Sequence, residues 1–279
     1  MAKIGVFNTL KAIRQVEFGF FLDGGDEGDI LLPNRYVPKD LQIDDEIEVF
    51  LYLDSEDRVV ATTQKPLAKL KECAYLECVD VNKIGAFLNW GLAKDLMVPY
   101  SEQKKRMEPG QRYLVYLYLD KVDQRITATA KVNKYLTDSG ASLKANQEVD
   151  LLVGEKTDLG YKCVVNNFCW GMIFYSDAKD KNLRLGQKLK AYVKRVREDG
   201  RVDLSFNKHG FESLGPLAEK ILAILKDNKG YMAISDKSSP ELIKKVFGCS
   251  KREFKMAIGS LYKNRQILLD KQSIRLADK

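Results

Sequence analysis

The sequence predicts a mainly β chain of three tandem five-stranded barrels followed by a C-terminal α+β domain. Three observations carry this prediction. The stretch 84–129 recurs 66 positions earlier, so that Gly85, Phe87, Leu88, Pro99, Leu119 and Asp120 fall on Gly19, Phe21, Leu22, Pro33, Leu53 and Asp54. One inserted residue later, Arg125 and Thr129 match Arg58 and Thr62. A looser third copy follows, in which Leu185-Gly186-Gln187-Lys188 matches Pro109-Gly110-Gln111-Arg112 and Arg201-Val202-Asp203-Leu204-Ser205 matches the last strand. Beyond Gly210 the apolar spacing turns helical. Self-similarity at a fixed period decides architecture ahead of other signals, and a copy of this length suits a small closed barrel.

In the first copy, β-forming segments are expected at 4–7, 17–22, 29–32, 47–53 and 59–62, with turns at Asp23-Gly24-Gly25-Asp26 and Asp54-Ser55-Glu56-Asp57. The excursion between the third and fourth segments gives the five-stranded Greek-key order. The second copy has strands at 71–79, 84–89 and 96–98, a basic excursion with Lys104-Lys105-Arg106, the run 113–120 and a last strand ending at Thr129. A linker is expected at 133–147. The third copy places strands at 162–166 and 171–175. Domain limits follow as 1–65, 66–134, 147–208 and 211–279.

The last domain reads as helix 212–226 from Leu214, Leu217, Ile221, Ile224 and Leu225 at helical spacing. Ser239-Pro240 caps a second helix that stops at Gly248. Ser250-Lys251-Arg252-Glu253 is a capping box opening a third helix, with Phe254, Ile258 and Leu261 buried. Strands 267–269 and 273–276 complete a winged helix-turn-helix.

Composition excludes several classes. No apolar run is long enough to span a bilayer, and no secretory signal opens the chain. The five cysteines form no CxxC pair and read as reduced thiols of a cytoplasmic protein. With His209 the single histidine, no zinc site and no cofactor are expected, and His209-Gly210 reads as a hinge at the exit of the third barrel. Cys73 and Cys78 lie on one predicted strand and point to opposite faces. No Walker loop, GxSxG or dense carboxylate set is present, so catalysis is not expected. Net charge runs −6, +3, +4 and +6 over residues 1–65, 66–139, 140–210 and 211–279. That asymmetry suits a polyanion binder.

The recurring aromatics carry the best chemistry. Phe18 and Phe21 flank Gly19 on one strand, and the Asp54 turn brings Arg58 back toward that face. Exposed aromatics beside a cation stack bases and hold phosphate. A single Phe at such a place reads as barrel core. Recurrence as Phe87 with Arg125 favours function. On the third helix, Lys251, Arg252 and Lys255 form a basic face that suits either a nucleic-acid groove or plain solvation; winged helices also dock proteins.

These motifs resemble S1-type RNA-binding domains, a subset of the oligonucleotide-binding (OB) fold. Phe18-Gly19-Phe20-Phe21 with Asp54 and Arg58, Gly85-Ala86-Phe87 with Asp120 and Arg125, and Arg201-Val202-Asp203-Leu204-Ser205 carry the likeness. The resemblance implies that the aromatics, the Asp and the Arg line the RNA face. Ile84 replaces the first aromatic in copy two; copy three has Leu159 and Lys162 there and Arg197 at the acidic position. The family's usual third-strand His is absent. Copy one is thus the fullest site, and copy three, with Lys162, Arg197 and Arg201, serves mainly backbone charge. Three S1-like copies and a winged helix resemble the conserved virulence factor B (YitL-like) family. That resemblance implies a non-catalytic bacterial post-transcriptional regulator that binds single-stranded RNA. The alternative is a protein-docking adaptor of a ribosomal or RNA-processing complex.

Overall fold

Each barrel begins with the same local constraint. The glycine that opens the second strand lies so close to the third strand that a Cβ would sit 2.1 Å from Leu32 O at Gly19, 2.4 Å from Val98 O at Gly85 and 2.1 Å from Ile173 O at Gly160. The computed structural model describes residues 2–178, 181–207 and 216–277. The chain divides into two compact units, Met1–Ser142 with Val149–Lys190 and Val196–Asp203, and Leu143–Glu148 with Ala191–Arg195 and Leu204–Lys279.

Barrel 1 comprises β1 (Phe7–Val16), β2 (Gly19–Asp23), β3 (Asp29–Pro33), β4 (Glu46–Leu53) and β5 (Val59–Thr62), closed in the order β1-β2-β3-β5-β4. The closure is the parallel β3–β5 pair, Leu31 opposite Val60. Strand alternation sends Phe20 and Leu22 inward with Leu10, Ala12, Ile30, Leu32, Val49 and Leu51, which leaves Phe21 on the outside. The first strand corrects the expectation of 4–7. A bulge between Ala12 and Arg14 interrupts its alternation, so the two-residue pattern that identifies a strand is broken where Lys11, Arg14 and Gln15 face outward. Phe18 sits in the β1–β2 turn and not on the strand.

Barrel 2 repeats the plan with β6 (Cys73–Val81), β7 (Gly85–Asn89), β8 (Leu96–Pro99), β9 (Arg112–Leu119) and β10 (Ile126–Thr129), in the order β10-β9-β6-β7-β8, with β8 and β10 adjacent. Barrel 3 has β11 (Glu148–Lys156), β12 (Gly160–Val165), β13 (Cys169–Phe174), the short helix α1 (Tyr175–Ala178), β14 (Lys188–Val196) and β15 (Val202–Ser205), closed as β11-β12-β13-β15-β14. The first-strand bulge recurs between Cys78 and Asp80 and between Val153 and Glu155.

Barrels 1 and 2 share one apolar core. Phe50, Tyr52 and Val60, on the outer face of barrel 1, bury with Trp90, Leu88 and Leu96. Phe50 meets Phe7 and Trp90 edge-on at centroid distances of 5.5 and 5.8 Å. Barrels 2 and 3 meet through Cys73, Tyr116, Val132, Leu136, Leu152, Val164 and Trp170. The expected linker therefore packs: Leu136 and Leu143 are buried, and Tyr135 stacks on Tyr116 at 4.3 Å. Cys73 enters that second cluster and Cys78 the shared core, on opposite faces of β6. Burial pushes the Cys73 and Cys163 thiols up to about 12 and Cys169 to about 11.

The winged helix comprises α2 (Pro216–Asp227), β16 (Tyr231–Met232), α3 (Pro240–Phe247), α4 (Lys251–Lys263), β17 (Ile267–Leu269) and β18 (Ile274–Leu276). Its sheet runs β16-β18-β17, with the two-residue β16 too short to read in sequence. Ile221, Leu225, Ile243, Phe247, Phe254, Ile258 and Leu261 form its core. Ser239 Oγ accepts from Leu242 N at 3.3 Å. The capping box closes with Glu253 N to Ser250 Oγ at 3.2 Å and Ser250 N to Glu253 Oε2 at 2.8 Å. The expected helix start at Glu212, and His209 with Gly210, lie outside the described residues. Among the described residues no helix is long and apolar enough to cross a membrane.

Gly19→Ala should destabilise the chain toward the upper end of the about 1–3 kcal/mol typical of overpacking, because the obstructing atom is backbone. A urea melt against wild type measures it; an unchanged midpoint contradicts the close approach.

Candidate nucleic-acid interface

Register sets the outer row of each barrel. In barrel 1, Arg14 lies opposite Phe21 and Phe21 opposite Leu31. The Arg14 guanidinium sits 4.5 Å from the centre of the Phe21 ring and 3.4 Å from Asp29. Phe18 meets Phe21 edge-on at 6.3 Å. Sequence alone does not single out Arg14, because it joins the face only through the bulged register. Two residues before Val60, Arg58 is level with Asp29, one step along from the Phe21 row. Its guanidinium binds Asp54 at 2.8 and 3.0 Å and Glu56 at 3.0 Å. Asp54 also accepts from the backbone of Glu56 and Arg58. Burial raises its carboxyl, but the Arg58 and backbone hydrogen bonds outweigh this and hold it below the usual carboxylate value. Asp54 thus closes the β4–β5 turn as well as facing the arginine.

Barrel 2 departs from that arrangement. Asp120 closes its turn by accepting from Val122 N at 2.8 Å, but Arg125 does not pair with it. Arg125 instead binds Asp57 of barrel 1, with Asp123 at 3.7 Å. Lys94 reaches from barrel 2 to the Asp54 carbonyl at 2.5 Å. Burial, then the nearby Arg125, lowers the Lys94 pKa. Phe87 and Arg125 do come together, lining a cleft of about 210 Å³ with Ile84, Trp90 and Met97, walled by Tyr52 and Leu53 of barrel 1. Sequence reasoning treats each copy alone and so misses Asp57, Lys94 and Tyr52.

In barrel 3, Lys162 stands 4.4 Å over the Trp170 ring. Arg197 binds the buried Asp203 at 2.7 and 2.9 Å and lies 5.7 Å from the Phe174 ring. Arg201 is 3.5 Å from Asp199. A cleft of about 350 Å³ gathers Leu159, Lys162, Arg197 and Arg201 with Trp170, Met172 and Phe174. These last three residues alternate with Gly171 and Ile173 along β13. That alternation is the signal that would have placed apolar surface beside the cations. At the position before the shared glycine, Phe18, Ile84 and Leu159 are 58, 60 and 65 % exposed, which takes all three out of the barrel cores.

On the winged helix the three predicted cations differ. Lys251 donates to Ser238 O at 2.9 Å, tying down the start of α4. Lys255 is 3.9 Å from Asp236, and Arg252 is exposed. Among the described residues no three His, Cys, Asp or Glu side chains converge as metal ligands.

Comparison with known proteins recognises the first two barrels and the winged helix. The S1 domain family matches residues 4–64 and 72–131, and the CvfB-like winged helix domain matches residues 219–276. YitL of Bacillus subtilis is 33 % identical over 272 residues, covering 93 % of this chain and 89 % of its own. Conserved virulence factor B of Staphylococcus saprophyticus is 26 % identical over 247 residues, covering 86 % and 82 %. A crystal structure of a multidomain protein with nucleic acid binding domains from Streptococcus pneumoniae is 26 % identical, covers 98 % of both chains and gives a TM-score of 0.42. With S1 domains followed by this winged helix and with likeness along nearly its whole length, the chain belongs to the family of YitL and conserved virulence factor B.

Proposed function

We propose that the protein binds single-stranded RNA without catalysis and acts as a bacterial post-transcriptional regulator. The observation that carries this reading is the Arg14–Phe21–Phe18 cluster of barrel 1, an aromatic pair beside a cation on an outer face. Unpaired bases stack on such rings whatever their identity, and arginine adds charge to the same contact. The barrel 3 cleft adds Lys162, Arg197 and Arg201 beside Phe174, with the buried Trp170 also lining it. The relatives named conserved virulence factor B suit a regulatory role, and the S1 domain match suits an RNA ligand.

A second reading has its own observation. Met256 and Tyr262 on α4 are 61 and 55 % exposed, and Leu268 on the wing is 55 % exposed. Exposed apolar side chains of this kind suit protein docking by the winged helix, as in an adaptor of a ribosomal or RNA-processing complex.

Single-stranded RNA should bind more tightly than a duplex of equal length, because only free bases reach the rings. Equal affinity in a fluorescence titration would leave charge as the sole contribution. Phe21→Ala should weaken single-strand binding by about 1–3 kcal/mol with little change in salt dependence. Arg252→Ala combined with Lys255→Ala should lower the slope of log affinity against log salt by about 0.7 for each phosphate no longer neutralised. An unchanged slope assigns that face of α4 to solvent or to protein partners.

A further inference from the structure

The contact between barrels 1 and 2 places a carboxylate on the cation that the S1 likeness assigns to RNA. Arg125 faces Asp57 of barrel 1, and Asp123 of its own turn stands at 3.7 Å. Asp57 occupies the position just before the motif arginine, which is left-handed in all three barrels: φ is 62° at Asp57, 56° at Gln124 and 83° at Gly200. Glycine takes that conformation without strain, whereas a side chain there has a cost. Barrel 1 uses the position for a carboxylate directed at Arg125 of the next barrel. Lys94 binds the Asp54 carbonyl of the same turn. The two barrels also carry opposite net charge, −6 over residues 1–65 and +3 over 66–139. The end of β4, Tyr52 and Leu53, walls the cleft that holds Phe87, and the Asp57 carboxylate of the turn that follows takes the cation there.

We propose that Asp57 masks the second barrel by occupying Arg125 in place of an RNA phosphodiester, so that RNA engages this barrel by displacing the Asp57 carboxylate. The inference rests on the RNA-binding reading above. The exchange is one anion for another at a half-exposed guanidinium, 43 % accessible. Its strength is therefore that of an exposed ion pair, and removing the competitor should tighten binding by about two- to fivefold. Burial of the phosphate is not required, and the masking should fade as salt screens the pair.

The test uses the full chain and a labelled single-stranded oligouridylate at low and high salt. Asp57→Asn keeps a residue that tolerates the left-handed turn and removes the charge. It should bind about two- to fivefold tighter than wild type at low salt, with a smaller gain at high salt. Asp26→Asn, which removes one charge from the exposed β2–β3 turn of the same barrel, should change little. In an Arg125→Gln background, Asp57→Asn should give no gain. A gain no larger than that of Asp26→Asn, or an equal gain without Arg125, overturns the masking while leaving RNA binding intact. Absence of RNA binding by both wild type and Asp57→Asn overturns the RNA reading and the masking together. Binding by Asp57→Asn alone supports both.

Discussion

The glycine at the start of each second strand is the constraint on which the rest depends. At Gly19, Gly85 and Gly160 the neighbouring carbonyl occupies the space of a Cβ. That close approach pins the second strand against the third in one register, Gly19 opposite Pro33 and Gly85 opposite Pro99. A slip of one residue would exchange the inner and outer faces. Phe20 would then leave the core and Phe21 would enter it. The motif glycine therefore belongs to the fold, and by fixing the register it keeps Phe20 in the core and Phe21 on the outer face. The aspartate of the motif has a similar double character. Asp54 and Asp120 both satisfy backbone donors of the β4–β5 type of turn, and only Asp54 also pairs with its own arginine.

Joining barrels consumes outer surface. Phe50, Tyr52 and Val60 face away from the core of barrel 1, and they are buried because barrel 2 covers them. Cys73 and Tyr116 are likewise buried by the packing of barrel 3 against barrel 2. Barrel 2 packs on both neighbours, and its motif arginine is held by another barrel. Barrel 1 keeps its β2 face open, with Arg14 lying across Phe21. Barrel 3 has lost the motif aromatics but gathers Trp170 and Phe174 from the adjacent strand beside its cations. The same backbone plan thus presents three chemically different faces.

The barrel plan was legible because it rests on repeated local signals: a glycine of close approach, turn residues at fixed spacing and alternating apolar strands. The caps of α3 and α4 were legible for the same reason, since Ser239 and the Ser250–Glu253 box act within four residues. The first strand was not, because its bulge breaks the alternation on which such a reading relies. Residues 133–147 looked like a linker by composition, yet Leu136 and Tyr135 find partners far away in sequence. Among the candidate site residues of barrel 1, Phe21, Asp54 and Arg58 were recognisable because the motif recurs in the second copy, whereas Arg14 joins that face only through the bulge. Arg125 was recognisable too, but its partner Asp57 belongs to another barrel, and no spacing within a copy encodes that pair.

The sequence between the motif aspartate and arginine shows how a repeat diverges without losing its fold. The turn needs one left-handed residue before the arginine, and Asp57, Gln124 and Gly200 all supply it. Backbone geometry leaves the side chain at that point unspecified, so charge there varies freely with what lies opposite. In barrel 3 the residue is glycine, and Arg201 faces Asp199 within its own turn. In barrel 1 it is an aspartate that reaches Arg125 of barrel 2. One turn residue thereby supplies a carboxylate that meets the next barrel's cation. Interaction between copies can change at such a position while the core of each barrel remains untouched.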